Sequence, residues 1–179
     1  MRTRIPVIFG SARHDGNTRA LIDAAFDGAA IEIFDMSALN ISGFDYAHEN
    51  RDDDFLPLIE AIAARPVWVL ASPVYWYAVS APMKVFLDRL SDLTTIRKDL
   101  GRAIAGRRVF ALSTSSAVEP PASFAAPLID TCRYLDLDWG GHCHAGFERD
   151  RDVNAAAGKK ARAFGDAVRA VRAAEPLRA

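Results

Sequence analysis

The stretch Gly10-Ser11-Ala12-Arg13-His14-Asp15-Gly16-Asn17-Thr18 gathers the groups that hold a phosphate. Small residues let backbone N–H groups converge on one point. Ser11, Asn17 and Thr18 add short side-chain donors. Arg13 adds a fixed charge whose fork matches phosphate oxygens. The stretch follows a short apolar run and opens a segment of helical period, so a helix N-terminus adds partial positive charge. Its spacing is neither G-x-G-x-x-G nor G-x-x-x-x-G-K-[ST], which argues against a dinucleotide fold and an ATPase. An ordinary strand-to-helix turn capped by Asn17 or Thr18 is the plainer alternative. Four suitable residues between Ser11 and Thr18 favour the phosphate.

A second stretch, Ser72-Pro73-Val74-Tyr75-Trp76-Tyr77-Ala78-Val79-Ser80-Ala81-Pro82, places three consecutive aromatics beyond an apolar run. Aromatics left in water are costly, and they offer flat walls to a planar ring. Main-chain amides there can meet the ring's polar edge. Packing against a neighbouring loop or subunit would use the same residues. A third stretch, Ser113-Thr114-Ser115-Ser116, either reaches the same ligand or caps the next helix.

Other signals read more simply. His142, Cys143 and His144 alternate along a strand, so they point to opposite faces and do not chelate one ion. Asp52-Asp53-Asp54 reads as an acidic first helical turn. His14 reads equally well as a phosphate contact or as an exposed loop residue. No G-x-S-x-G occurs, so no hydrolase triad is proposed.

Five strand-sized runs must position these stretches: Ile5 to Phe9, Ile31 to Phe34, Val67 to Ala71, Val109 to Leu112 and Trp139 to Ala145. Between them the apolar positions repeat at helical spacing, as in Phe55, Leu58, Ile59 and Ile62, and a last amphipathic helix carries Ala157, Ala161, Phe164 and Val168. The alternation predicts an α/β fold with a parallel sheet. Runs three and four are wholly apolar, as central strands are, whereas runs two and five carry Glu32 and the two histidines, as edges do. The order 2-1-3-4-5 follows, and it puts the ligand beyond the carboxyl ends of strands 1 and 3. Pro6 fits a central strand only where its missing N–H has no ladder partner.

With 179 residues, 50% of them hydrophobic and 25% charged, residues 1–179 read as a single globular domain. The net charge of −1 excludes a strongly basic nucleic-acid binder and disfavours an acidic electron carrier. No run nears the ~20 apolar residues that span a bilayer. Cys132 and Cys143 make neither a disulfide framework nor a four-cysteine cluster. A cytoplasmic protein is expected, without membrane or nucleic-acid partners.

The motifs Gly10-Ser11-Ala12-Arg13…Gly16-Asn17-Thr18…Leu21 and Ser72-Pro73-Val74-Tyr75-Trp76…Lys84…Phe86-Leu87-Asp88-Arg89 resemble those of the NAD(P)H-dependent FMN reductases of the flavodoxin-like superfamily. The likeness runs over roughly residues 4 to 172. It implies a flavodoxin-like three-layer sandwich and FMN as cofactor, with NADPH or NADH as co-substrate. By that likeness Ser11, Arg13, Asn17 and Thr18 would hold the phosphate. Pro73, Val74, Tyr75 and Trp76 would line the flavin, and Ser113, Thr114 and Ser115 occupy its third loop. That loop lacks the glycine run of the WrbA-like quinone reductases. The family also implies a homodimer or homotetramer and a small-molecule acceptor: a quinone, azo compound, metal ion or free flavin. An electron-transfer protein without nicotinamide activity and a flavin-free interaction module are the alternatives.

Overall fold

The computed structural model describes residues 4–174. Its elements are, in chain order, β1 (Ile5–Phe9), α1 (Asn17–Ala25), β2 (Ile31–Asp35), α2 (Phe55–Ile62), β3 (Val67–Tyr75), β4 (Ala78–Val79), α3 (Ala81–Arg89), α4 (Asp92–Thr95), α5 (Lys98–Ile104), β5 (Arg108–Ser115), α6 (Ala122–Tyr134), β6 (Asp138–Gly146) and α7 (Ala155–Ala174). The sheet runs β2-β1-β3-β5-β6, all parallel, with the two-residue β4 hairpinned onto β3. Apart from that hairpin, this is the expected order, with β2 and β6 at the edges. The helices α4 and α5 are additional to the expected elements.

Alternation along the strands divides the core. On one face Val7, Phe9 and Val69 pack with Leu21 and Ile22 of α1 and with Ala161, Phe164 and Val168 of α7. On the other, Ile8, Trp68 and Leu70 pack with Phe55 and Ile59 of α2, Phe86 of α3 and Leu128 of α6. The first layer is thin where α7 crosses the end of α1: a Cβ on Gly165 would lie 1.8 Å from the Ala25 carbonyl oxygen. Only glycine permits that approach.

Pro6 is accommodated as its chemistry requires. The Ile5 N–H donates toward β2, to the Ala30 carbonyl, so Pro6 faces β3; the β1–β3 ladder begins only at Val7. The lost donor falls before the first rung.

The acidic run behaves differently from the expected helical turn. Asp52, Asp53 and Asp54 all precede α2, and Asp53 and Asp54 tie down the long β2–α2 connection instead. Asp53 accepts the Ser42 and Phe55 N–H groups, and Asp54 accepts the Asn40 N–H. Asp53 also pairs with Arg89, which is fully buried at the end of α3 and lies over the Phe55 ring. The Arg89 Nε donates to Asp92 at 2.9 Å, and His48 meets the other Asp92 oxygen at 3.0 Å. Burial pushes the Asp53 carboxyl up, but hydrogen bonds from Arg89 and two backbone amides outweigh it and hold the group below its usual range. The charges were visible in sequence; their pairing across 36 residues was not.

Candidate functional site

The carboxyl ends of β1, β3 and β5 bring all three stretches to one cleft of about 230 Å³. Ser11, Arg13, Gly16, Asn17 and Thr18 line one side, and Pro73, Val74 and Tyr75 another. Thr114, Ser115, Ser116 and Asp150 complete it.

Short hydroxyl side chains fix the three loops to one another. Gly10 donates its N–H to the Ala71 carbonyl and accepts the Ser80 hydroxyl at 2.7 Å. A Cβ on Gly10 would sit 2.7 Å from the Met83 Cβ, so a side chain there would push the start of α3 off the loop. Ser80 caps α3, accepting from the Met83 N–H. Its own N–H donates to the Ser72 hydroxyl at 2.9 Å, which in turn donates to the Pro73 carbonyl. Thr18 and Thr114 share a buried hydroxyl–hydroxyl hydrogen bond of 2.7 Å, joining the first loop to the third. The Ser11 carbonyl accepts from Ser37 at 2.6 Å, and the Ser11 hydroxyl accepts the Arg13 N–H.

Gly16 is the N-cap of α1 and has no side chain to cap the first turn. The N–H groups of that turn therefore lack a side-chain cap and open at the cleft, with the helix dipole behind them. Asn17 does not cap. Its Oδ1 accepts the Arg151 N–H at 2.6 Å, from the loop that follows β6. The same loop supplies Asp150, whose two oxygens take both terminal nitrogens of Arg13 at 3.3 and 2.8 Å. This loop was missed in the sequence. Its signal is the alternating run Glu148-Arg149-Asp150-Arg151-Asp152, just after a strand that ends on the cleft side.

The aromatic stretch forms a tight hairpin. Tyr75 pairs with Ala78, leaving Trp76 and Tyr77 as the two turn residues. Both have left-handed backbones, with φ of 48° and 68°, as a two-residue turn of this hand demands. Trp76 is 93% exposed and stands at the tip, outside the cleft lining; Tyr75 is on the wall. Ser113 is fully buried and faces the other way. Its hydroxyl lies 2.7 Å from both the His142 Nε2 and the His144 Nδ1. His144 Nε2 lies 3.1 Å from the Ala117 carbonyl, which steadies the third loop. The two histidines thus share a face and a serine, while Cys143 points into the opposite core. Burial, with His144 nearby, pushes His142 down to about 4, so it is neutral. Burial pushes the Cys132 thiol up to about 11 and raises Cys143 as well, leaving both thiols protonated and unreactive. Among the described residues no group of three or more His, Cys, Asp or Glu side chains is placed to hold a metal ion. His14 is exposed and pairs with Asp35.

The family model for NADPH-dependent FMN reductase matches residues 3–138. The chain belongs to that family. The match ends at Asp138, the first residue of β6, so His142, His144 and Asp150 lie beyond it. YwqN of Bacillus subtilis (strain 168), named for NAD(P)H-dependent FMN-containing oxidoreductase activity, is 32% identical over 95 residues. That alignment covers 50% of this chain and 52% of YwqN, so the chain spans about half the length of the curated relative it matches. Among solved structures, the Trp repressor binding protein from Bacillus subtilis has a TM-score of 0.69 at 20% identity, covering 90% of this chain and 96% of that one. The flavodoxin-like, WrbA-like protein from Agrobacterium tumefaciens has a TM-score of 0.68 at 16% identity, covering 96% and 98%. RosB, solved with a bound flavin phosphate, has a TM-score of 0.73 at 14% identity, covering 96% and 79%. These likenesses show a flavodoxin-like fold. No helix among the described residues is long and apolar enough to cross a membrane.

Proposed function

We propose that the chain is an FMN-dependent NAD(P)H oxidoreductase that passes electrons to a small-molecule acceptor such as a quinone, an azo compound, a metal ion or free flavin. The observation that carries the reading is the convergence of an uncapped helix start, Ser11 and Arg13 with the Pro73–Tyr75 wall in one cleft. That donor set fits a phosphate monoester joined to a planar ring. The first turn of α1, Ser11, Thr18 and Arg13 would hold the phosphate, with Asn17 positioning the neighbouring loop. Pro73, Val74 and Tyr75 would lie along the ring, with Thr114 and Ser115 on its other side. Trp76, exposed at the hairpin tip, would flank the open side where a second flat molecule arrives. Ser113 would act from behind, through the histidines that hold the third loop.

FMN, when bound, supplies hydride acceptance and onward electron transfer. The protein's part is to bind, orient and leave one ring face open. No side chain is asked to act as acid or base. The buried free thiols fit a reducing cytoplasm, and the family implies a homodimer or homotetramer.

The test is the visible spectrum of the purified protein after incubation with FMN and desalting. A retained flavin band that bleaches on anaerobic addition of NADPH or NADH is expected, and reoxidation by a quinone should restore it. A retained band that neither nucleotide bleaches would replace the reductase with an electron carrier. No retained or measurable flavin binding would remove the flavin assignment altogether.

A further inference from the structure

The phosphate cradle already contains an anion. Arg13 and Asp150 are the charged side chains lining the cleft, and they are paired through two hydrogen bonds, fork to fork. The next residue, Arg151, has a left-handed backbone (φ 60°), donates its N–H to Asn17 and sends its guanidinium to within 3.7 Å of Asp15. One short loop therefore engages Arg13, Asn17 and Asp15, all in the strand-to-helix turn after β1.

We propose that Asp150 is an internal counter-ligand of the phosphate cradle: its carboxylate occupies Arg13 and is exchanged for the ligand's phosphate. The proposal rests on the phosphate placement given under the proposed function. Three features support it. The geometry is that of a planar two-oxygen anion on a guanidinium, the same recognition a phosphate uses. Both partners are about half exposed, at 56% and 54%, so the pair is a weak one that exchanges readily. The lining charges of Arg13 and Asp150 cancel, so an incoming anion is drawn in only when Arg13 is released to it.

The consequence is selectivity. A phosphate dianion has the charge to displace the carboxylate. A neutral flavin lacking phosphate does not, and it leaves the latch closed. Removing the carboxylate charge should therefore help FMN and do nothing for riboflavin.

The experiment titrates the protein and its Asp150→Asn, Arg13→Ala and doubly substituted variants with FMN, riboflavin and inorganic phosphate, following flavin fluorescence and, for phosphate, calorimetry. Asp150→Asn is expected to tighten FMN by about two- to fivefold, as loss of one exposed competing charge allows. Phosphate should tighten in parallel, and riboflavin should not change. In the Arg13→Ala background the gain from Asp150→Asn should shrink, since the two act as a pair. An unchanged or weakened FMN affinity in Asp150→Asn overturns the proposal; weakening would mean that Asp150 braces Arg13 for the phosphate. Failures of the underlying reading look different. Equal affinity of the unsubstituted protein for FMN and riboflavin removes the phosphate from this cradle, and no binding of either removes the flavin; each also overturns the counter-ligand. Because Asp150 is exposed, the substitution is expected to leave the melting temperature unchanged.

Discussion

The Trp76–Tyr77 turn should be more stable without its aromatics. Two side chains with left-handed backbones, at φ 48° and 68°, cost about 1–2 kcal/mol each relative to residues that tolerate that region. Packing returns little at Trp76, which is 93% exposed, and only part of the cost at Tyr77, which is 67% exposed. The Ser123 hydroxyl donates to the Tyr77 carbonyl, a main-chain contact that survives substitution. Replacing Trp76-Tyr77 by Asn-Gly supplies the pair this turn prefers. Glycine's unfolded-state entropy takes back about 0.5–1 kcal/mol. The net gain is about 1–2 kcal/mol, or roughly 2–8 °C in Tm for a chain of this size. Urea and thermal unfolding followed by far-UV circular dichroism measure it without relying on the deleted tryptophan. If the aromatics are there for a ligand, the same variant should lose turnover with NAD(P)H and acceptor while it gains stability. A variant less stable than the parent would refute the reasoning, because it would mean that the aromatics hold the hairpin together.

Two further outcomes follow from buried groups. Arg89→Met should cost about 3–5 kcal/mol in urea unfolding, because it leaves Asp53 and Asp92 buried without their counter-charge, and adding Asp53→Asn and Asp92→Asn should recover part of the loss; a cost below about 1 kcal/mol would show that the cluster is solvated. His142 is held neutral down to about 4, against 6.5 when unfolded, so the unfolded chain binds the extra proton in between and stability falls as the pH is lowered through that window. The loss approaches about 3 kcal/mol by the lower end, and urea midpoints at several pH values should show a shallower slope in His142→Gln; an identical slope would assign the effect to other groups.

Most of the scaffold was legible because its signals are local. Continuous apolar runs marked β3 and β5 as central, and polar Glu32 marked an edge. The histidines of β6 also marked an edge, but for a different reason than expected: His142 and His144 turn inward to a buried serine. That the three loops meet at one cleft was legible because small, hydroxylated and aromatic residues cluster after strands whose carboxyl ends lie side by side in the sheet. What stayed hidden depends on distance along the chain. Nothing near Asp53 names Arg89, and nothing near Arg13 names Asp150, which lies 137 residues away. A free guanidinium was therefore expected where a paired one stands. The direction of Ser113 was hidden for a related reason, since in the Ser113-Thr114-Ser115 run alternation sends only every second side chain to a given face.

The buried polar side chains show why that pairing matters. Ser11, Thr18, Ser72, Ser80, Ser113 and Thr114 are all buried, and all lie toward the carboxyl end of the sheet. Each is hydrogen-bonded within the protein, so the loops are tied to one another by their own side chains. They lock the three loops into one rigid frame, and a rigid frame binds without ordering cost. The groups that can change partners lie outside that frame, on exposed atoms: the Arg13 guanidinium, the Asp150 carboxylate and the hairpin tip. On the proposed reading, a ligand phosphate would meet a fixed array of backbone donors and a single exchangeable charge. If the proposed exchange holds, the frame would set whether a phosphate fits, and Arg13 would set how much charge it must carry to stay.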